Sequence, residues 1–141
     1  MKKIFSTSIN DKYAHITLLV VRVLVGTFML THGVPKFMRL FSGEEIQFAD
    51  PFGLGPGISL FLSMLAEFFC SIFIILGLGT RLAAIPLIIN MLVVVFYAHS
   101  ADPFGKKELP LLYLLFFITF LVLGSGKYSV DSLLSNKRRL Y

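Results

Sequence analysis

The chain has no tryptophan, one cysteine and little charge for its length, and each shortage excludes something. A lone Cys70 permits no intramolecular disulfide and no CxxC redox or cluster site. Set in an apolar run, it reads as a small packing residue. No Gly-rich phosphate loop, nucleophile elbow or zinc-protease motif is present, so a self-contained catalytic site of the soluble type is not expected. Only 15% of the 141 residues are charged, against about a quarter in an ordinary soluble domain. The hydrophobic share is 56% and the mean hydropathy +0.82. That excess lies in long uninterrupted runs, which makes lipid the solvent. With no tryptophan, the 15 phenylalanines and 5 tyrosines must supply any interfacial belt.

The net charge of +5 does not point to nucleic acid, because the basic residues crowd the ends of the chain. Lys2, Lys3, Lys12, Lys137, Arg138 and Arg139 fit membrane topology and anionic lipid instead.

Crossing about 30 Å of hydrocarbon takes on the order of 20 helical residues. Four stretches qualify: 14–34, 57–79, 82–99 and 109–124. Open backbone is too costly in lipid, so these are predicted helices. The expected fold is all-α, a single-domain integral membrane four-helix bundle over residues 1–141. A cleaved signal peptide is the rival reading of the first stretch. Arg22 interrupts its apolar region and no A-x-A-like site follows, so it is read as a retained helix.

Lys2, Lys3, Lys12, Arg81, Lys127, Lys137, Arg138 and Arg139 fall on the side of the termini. Lys36, Arg39, Lys106 and Lys107 fall on the other, diluted by five acidic residues. The positive-inside rule then predicts a multi-pass protein of the cytoplasmic (inner) membrane with both termini cytoplasmic. The long outer loop, 35–56, carries Phe37, Phe41 and Phe48 among polar residues, as an interfacial segment would. The tail 128–141 has a similar mixture.

Ala49-Asp50-Pro51-Phe52-Gly53 recurs as Ala101-Asp102-Pro103-Phe104-Gly105, each copy ahead of an apolar helix. This suggests two repeated helical hairpins. Convergent turn chemistry is the competing explanation.

Charged side chains inside a span cost about 2.5–3.5 kcal/mol each on insertion scales, so they face inward, pair and often mark function. Arg22 and Glu67 stand out. At 1.5 Å per residue Arg22 lies about 12 Å, Glu67 about 18 Å and Asn90 about 13 Å above the inner boundary. An Arg22–Glu67 ion pair with Asn90 as hydrogen-bond partner is therefore expected. Gly26 and Met29 share Arg22's face, and Ser63 and Ser71 flank Glu67. Such a pair either fixes helix register alone or lines a ligand, proton or quinone site.

A second cluster is expected near the outer boundary, where His32, Lys36, His99 and Glu108 fall at similar depth. Two histidines and a carboxylate suit an interfacial role, proton exchange with a quinone head group, or a metal. No close-spaced ligand motif such as HxxxH exists, and no metal or haem site is predicted. Pro86 should kink the third helix beside Asn90.

These residues resemble the DoxX family of small four-helix membrane proteins. The resemblance rests on Arg22 with Gly26, His32-Gly33-x-x-Lys36, Glu67, and Gly77-Leu78-Gly79-Thr80-Arg81. It ends in Gly124-Ser125-Gly126-Lys127-Tyr128-Ser129-Val130-Asp131 and spans roughly residues 14–134. It implies quinone-linked oxidoreductase systems, including sulfur-compound oxidation, and membrane assemblies answering oxidative stress. By position it makes Arg22, His32, Lys36 and Glu67 the leading site residues. Asn90, His99 and Glu108 join them from depth alone.

The first functional expectation is a membrane subunit of a quinone-linked redox system, binding quinone or a partner oxidoreductase. Without Cys clusters or a haem pair, electrons come from another subunit or the substrate, so the chain is at most a subunit of such an enzyme. The second is a small-molecule or proton transporter or channel acting as an oligomer. The third is a structural anchor or assembly factor whose polar core does no chemistry.

Overall fold

The computed structural model describes residues 10–138, with side chains to Ser135. Lys2, Lys3 and Arg139, all used in the charge count, lie outside the described residues, as do the side chains of Lys137 and Arg138. The described residues form five helices and no strand. They are α1 (Asp11–Leu40), α2 (Pro56–Leu76), α3 (Thr80–Ala98), α4 (Phe104–Leu123) and a short α5 (Val130–Arg138). The first three are long and apolar enough to cross a membrane. α4 has the length, 20 residues, but Lys106, Lys107 and Glu108 fall near its start.

Residues 10–12 start α1 with an Asn10 cap, whose side chain accepts from the Lys12 amide at 3.1 Å. The outer loop was expected to begin at Pro35, but α1 runs through that proline to Leu40. Proline costs a helix one hydrogen bond and a steric clash. Here the extra turn recovers contacts on α2: Lys36 pairs with Glu67, and Phe37 stacks on Phe68 with ring centroids 4.9 Å apart.

α1 and α2 are antiparallel and very close. A Cβ on Gly26 would lie 2.6 Å from Ile75 Cγ1, and one on Gly33 2.7 Å from the Glu67 carbonyl and the Phe68 nitrogen. Small residues at a helix seam allow this approach in a membrane, where packing rather than hydrophobic driving force holds helices together. α2 is irregular where it meets Gly33, with a π-helical segment over Leu65–Cys70. α3 ends in a second one, Val94–Ala98. α3 packs against α2 on one side and α4 on the other, while α4 only touches α1. Val25, Met29, Ala66, Ile74, Leu87 and Phe117 are among the buried residues of the common core.

Two ends can be distinguished. The terminal side carries the start of α1, the Gly77–Gly79 turn and α5; the loop side carries the α1–α2 and α3–α4 connections. The two copies of the Ala-Asp-Pro-Phe-Gly repeat both lie on the loop side but are used differently. Asp50 accepts from the amides of Leu54 and Gly55 and from the Ser59 hydroxyl, closing the entry to α2. Asp102 instead bonds His99 at the end of α3 and faces Lys106.

Candidate functional site

In the loop-side half of the bundle the four long helices enclose a cavity of about 720 Å³. That is the size range of a small-molecule site, and its lining is mostly apolar with a few polar groups. Polar groups reach it from all four elements, among them His32 and Lys36 of α1, Ser63 and Glu67 of α2, Asn90 of α3 and Tyr113 of α4.

At its floor lies an ion pair, buried at its Glu67 end. Lys36 Nζ donates to Glu67 Oε2, and Asn90 Nδ2 donates to Glu67 Oε1 at 2.7 Å. Glu67 is 2% exposed, and each of its carboxylate oxygens accepts from one of these partners. The π-helical segment that carries Glu67 presses its carbonyl against Gly33, one turn before Lys36. Insertions of this kind occur frequently at functional sites. The Lys36 ammonium also lies 6.0 Å from the Phe48 ring of the loop above.

The predicted Arg22–Glu67 pair does not form. In a helix every Cα–Cβ bond leans towards the N-terminus. Arg22 on α1 therefore leans to the terminal side, while Glu67 on the antiparallel α2 leans to the loop side. Depth counting placed their Cα atoms at compatible levels but ignored this divergence. Lys36, about 21 Å further along α1, leans down onto Glu67 instead.

Arg22 serves the opposite end. It is 1% exposed and donates to the carbonyls of Ser125 and of Tyr128, the latter at 2.8 Å. Nearby, Asp131 of α5 accepts from the amides of Gly79 and Thr80 at 2.8 and 3.3 Å, while its own amide donates to the Gly77 carbonyl. Gly79 is the N-cap of α3 and has no side chain, so Asp131 supplies the cap from a distance. Gly77 is left-handed (φ 69°), and a Cβ there would meet Ser129 Cβ at 2.6 Å and the Arg22 guanidinium at 2.7 Å. Three stretches far apart in sequence, around Arg22, 77–81 and 124–131, thus form one lock that ties α5 to the α2–α3 turn.

The expected outer cluster divides. His32 sits edge-on to Tyr113, with centroids 6.1 Å apart, and lines the cavity beside Lys36. His99 lines its loop-side rim, its Nδ1 2.7 Å from Asp102 Oδ2. That hydrogen bond, with Lys106 at 3.6 Å, holds the Asp102 carboxyl below its ordinary value. Glu108 is exposed and takes no part in the cavity, because α4 already begins at Phe104 and turns Glu108 outward. Among the described residues no group of three His, Cys, Asp or Glu side chains is placed to hold a metal ion.

Tyr113 was not singled out from sequence. It is buried, stacks on Phe117, and among the described residues its hydroxyl makes no hydrogen bond within the protein. A lone phenol inside the apolar run 109–123 was the available signal, since a buried tyrosine hydroxyl normally finds a partner.

The DoxX family profile matches residues 17–100. An uncharacterized protein of Haemophilus influenzae is 32% identical over 132 residues, covering 86% of this chain and 93% of that protein. An uncharacterized membrane protein of Mycobacterium tuberculosis is 28% identical, covering 83% of this chain and 80% of its own length. No solved structure matches significantly. The chain belongs to the DoxX family and is a membrane protein with several apolar helices.

Proposed function

We propose that this DoxX-family protein is the membrane subunit of a quinone-linked redox system and holds a quinone-class head group in the loop-side cavity. The observation that carries the reading is the Lys36–Glu67–Asn90 cluster at the floor of a largely apolar cavity, faced by the unbonded Tyr113 hydroxyl. A buried ionic group inside a membrane marks a site by default.

The residues present fit a ring with two oxygen atoms. Lys36 has donors beyond the one given to Glu67, and Tyr113, Ser63 and His32 make no other hydrogen bonds among the described residues. Aromatic and aliphatic side chains supply the walls. A quinone, when bound, supplies two-electron, two-proton chemistry. The chain's own part is to bind, orient and handle protons. Lys36 donates to a ring oxygen, Tyr113 to the other, and Glu67 holds or releases a proton at its carboxylate with Asn90 fixing its orientation. Electrons come from a partner oxidoreductase or the substrate, since one cysteine provides no cluster.

The same reading takes α4 as a fourth span. Its apolar part, 109–123, is about 22 Å long and packs against α3. Arg81 and Lys127 on the terminal side support cytoplasmic termini in the inner membrane.

The test is extraction of the protein purified in mild detergent, with mass spectrometry of its lipophilic ligands. A stoichiometric quinone that is lost in Glu67→Gln, with the variant still monodisperse and helical, is the expected result. No quinone in the wild-type protein removes this reading and leaves proton or solute flux in vesicles as the next measurement.

A further inference from the structure

α2 and α3 share a seam over only part of their length. α3 packs on the Leu65–Cys70 segment and the Ser71–Leu76 end of α2, whereas Pro56–Met64 packs on α1 without comparable contact to α3. The helices diverge on the loop side of the α2 π-helical segment, while α3 runs on as a regular helix through Pro86 to Val93. The cavity fills the resulting wedge. Leu62, Ser63 and Ala66 form one wall, Pro86, Ile89 and Val93 the other. The outer edges are aliphatic and open: Leu62 is 46% and Ile89 51% exposed.

The way in from the loop side is narrowed by the α1–α2 connection. Phe48 lies over the Lys36 ammonium, and Ala49 and Pro51 also line the cavity. This strap is pinned at both edges, by Asp50 to the start of α2 and by Tyr97 of α3, whose hydroxyl donates to the Asp50 carbonyl at 3.2 Å.

We infer that the cavity is loaded sideways from the bilayer, by an amphiphile whose polar ring rests at Lys36 and Glu67 while its long hydrocarbon chain leaves between Leu62 and Ile89 into lipid. This rests on the head-group reading above and adds the route and the need for a chain. Aliphatic lips admit hydrocarbon at no cost in lipid, whereas a water-borne polar solute would shed its hydration to pass them. Lys36, Glu67 and Asn90 stand at the inner end of the wedge and aliphatic side chains at its lipid-facing mouth, which matches a molecule that is polar at one end only.

The experiment uses the full chain in lipid nanodiscs and two probes: a quinone with a long polyisoprenoid chain, and the same ring with a methyl group in its place. The variant L62W/I89W fills the mouth at positions already exposed to lipid. The expected result is tighter binding of the long-chain probe by wild type, and a loss of at least about tenfold for that probe alone in the variant. Retained binding of the methyl probe shows that the floor of the site is intact. Equal affinity of wild type for both probes, or an unchanged long-chain affinity in the variant, overturns sideways loading while leaving the head-group reading standing. Failure of wild type to bind either probe overturns both.

Discussion

Lys36 and Glu67 meet because their helices run in opposite directions and each side chain leans towards the other's level. The contact is close because Gly33, one turn below Lys36, lets the α2 backbone touch α1. Removing one charge therefore strands the other. Lys36→Met should lower stability by about 3–5 kcal/mol, and Lys36→Met with Glu67→Leu should recover most of it. Thermal unfolding in detergent reads both. If the double variant is stable yet no longer retains a ligand, the pair serves binding; if it retains the ligand, the pair only sets register.

The two glycines of the α1–α2 seam should not respond alike. Alanine at Gly33 drives its methyl into the Glu67–Phe68 backbone, which has nowhere to go, whereas at Gly26 the nearest obstacle is the movable Ile75 side chain. Gly33→Ala should cost about 1–3 kcal/mol and disturb ligand retention through Glu67. Gly26→Ala should cost less and leave retention intact. The reverse order of unfolding temperatures would contradict the geometry.

Arg22 and Asp131 should behave as parts of one lock remote from the cavity. Asp131→Ala removes the cap of α3, worth about 0.5–2 kcal/mol. Arg22→Met leaves the Ser125 and Tyr128 carbonyls without their donor, at about 1–3 kcal/mol for each buried group. In both variants hydrogen exchange should quicken over 124–138 while ligand retention stays unchanged. A loss of ligand from Arg22→Met with the loop-side exchange pattern preserved would return Arg22 to the site.

The strap over the cavity should loosen in acid. The amide of Gly55, the Ser59 hydroxyl and the amide of Leu54 hold the Asp50 carboxyl below its ordinary value. A folded-state value below the unfolded one means stabilisation that is complete above the unfolded value and lost as pH falls through the folded one. Proteolysis or hydrogen exchange of residues 42–55 should therefore accelerate below the ordinary carboxylate range. Asp50→Asn should remove that dependence, and an unaltered acid response in the variant would assign it elsewhere.

The all-helical, membrane-embedded character of the chain was legible in its sequence, because long apolar runs in lipid leave the backbone no other way to satisfy its hydrogen bonds. The hydrogen bond between Glu67 and Asn90 was legible too, since an intramembrane carboxylate needs donors and depth counting finds one at the right level. What depth counting lacks is direction. It assigned Glu67 to Arg22, and only the antiparallel packing of α1 on α2, with every Cβ leaning towards its own N-terminus, gave it to Lys36. The extension of α1 past Pro35 and the withdrawal of Glu108 to the surface were likewise tertiary decisions. Each depends on which face a neighbouring helix covers, and no local pattern of residues records that.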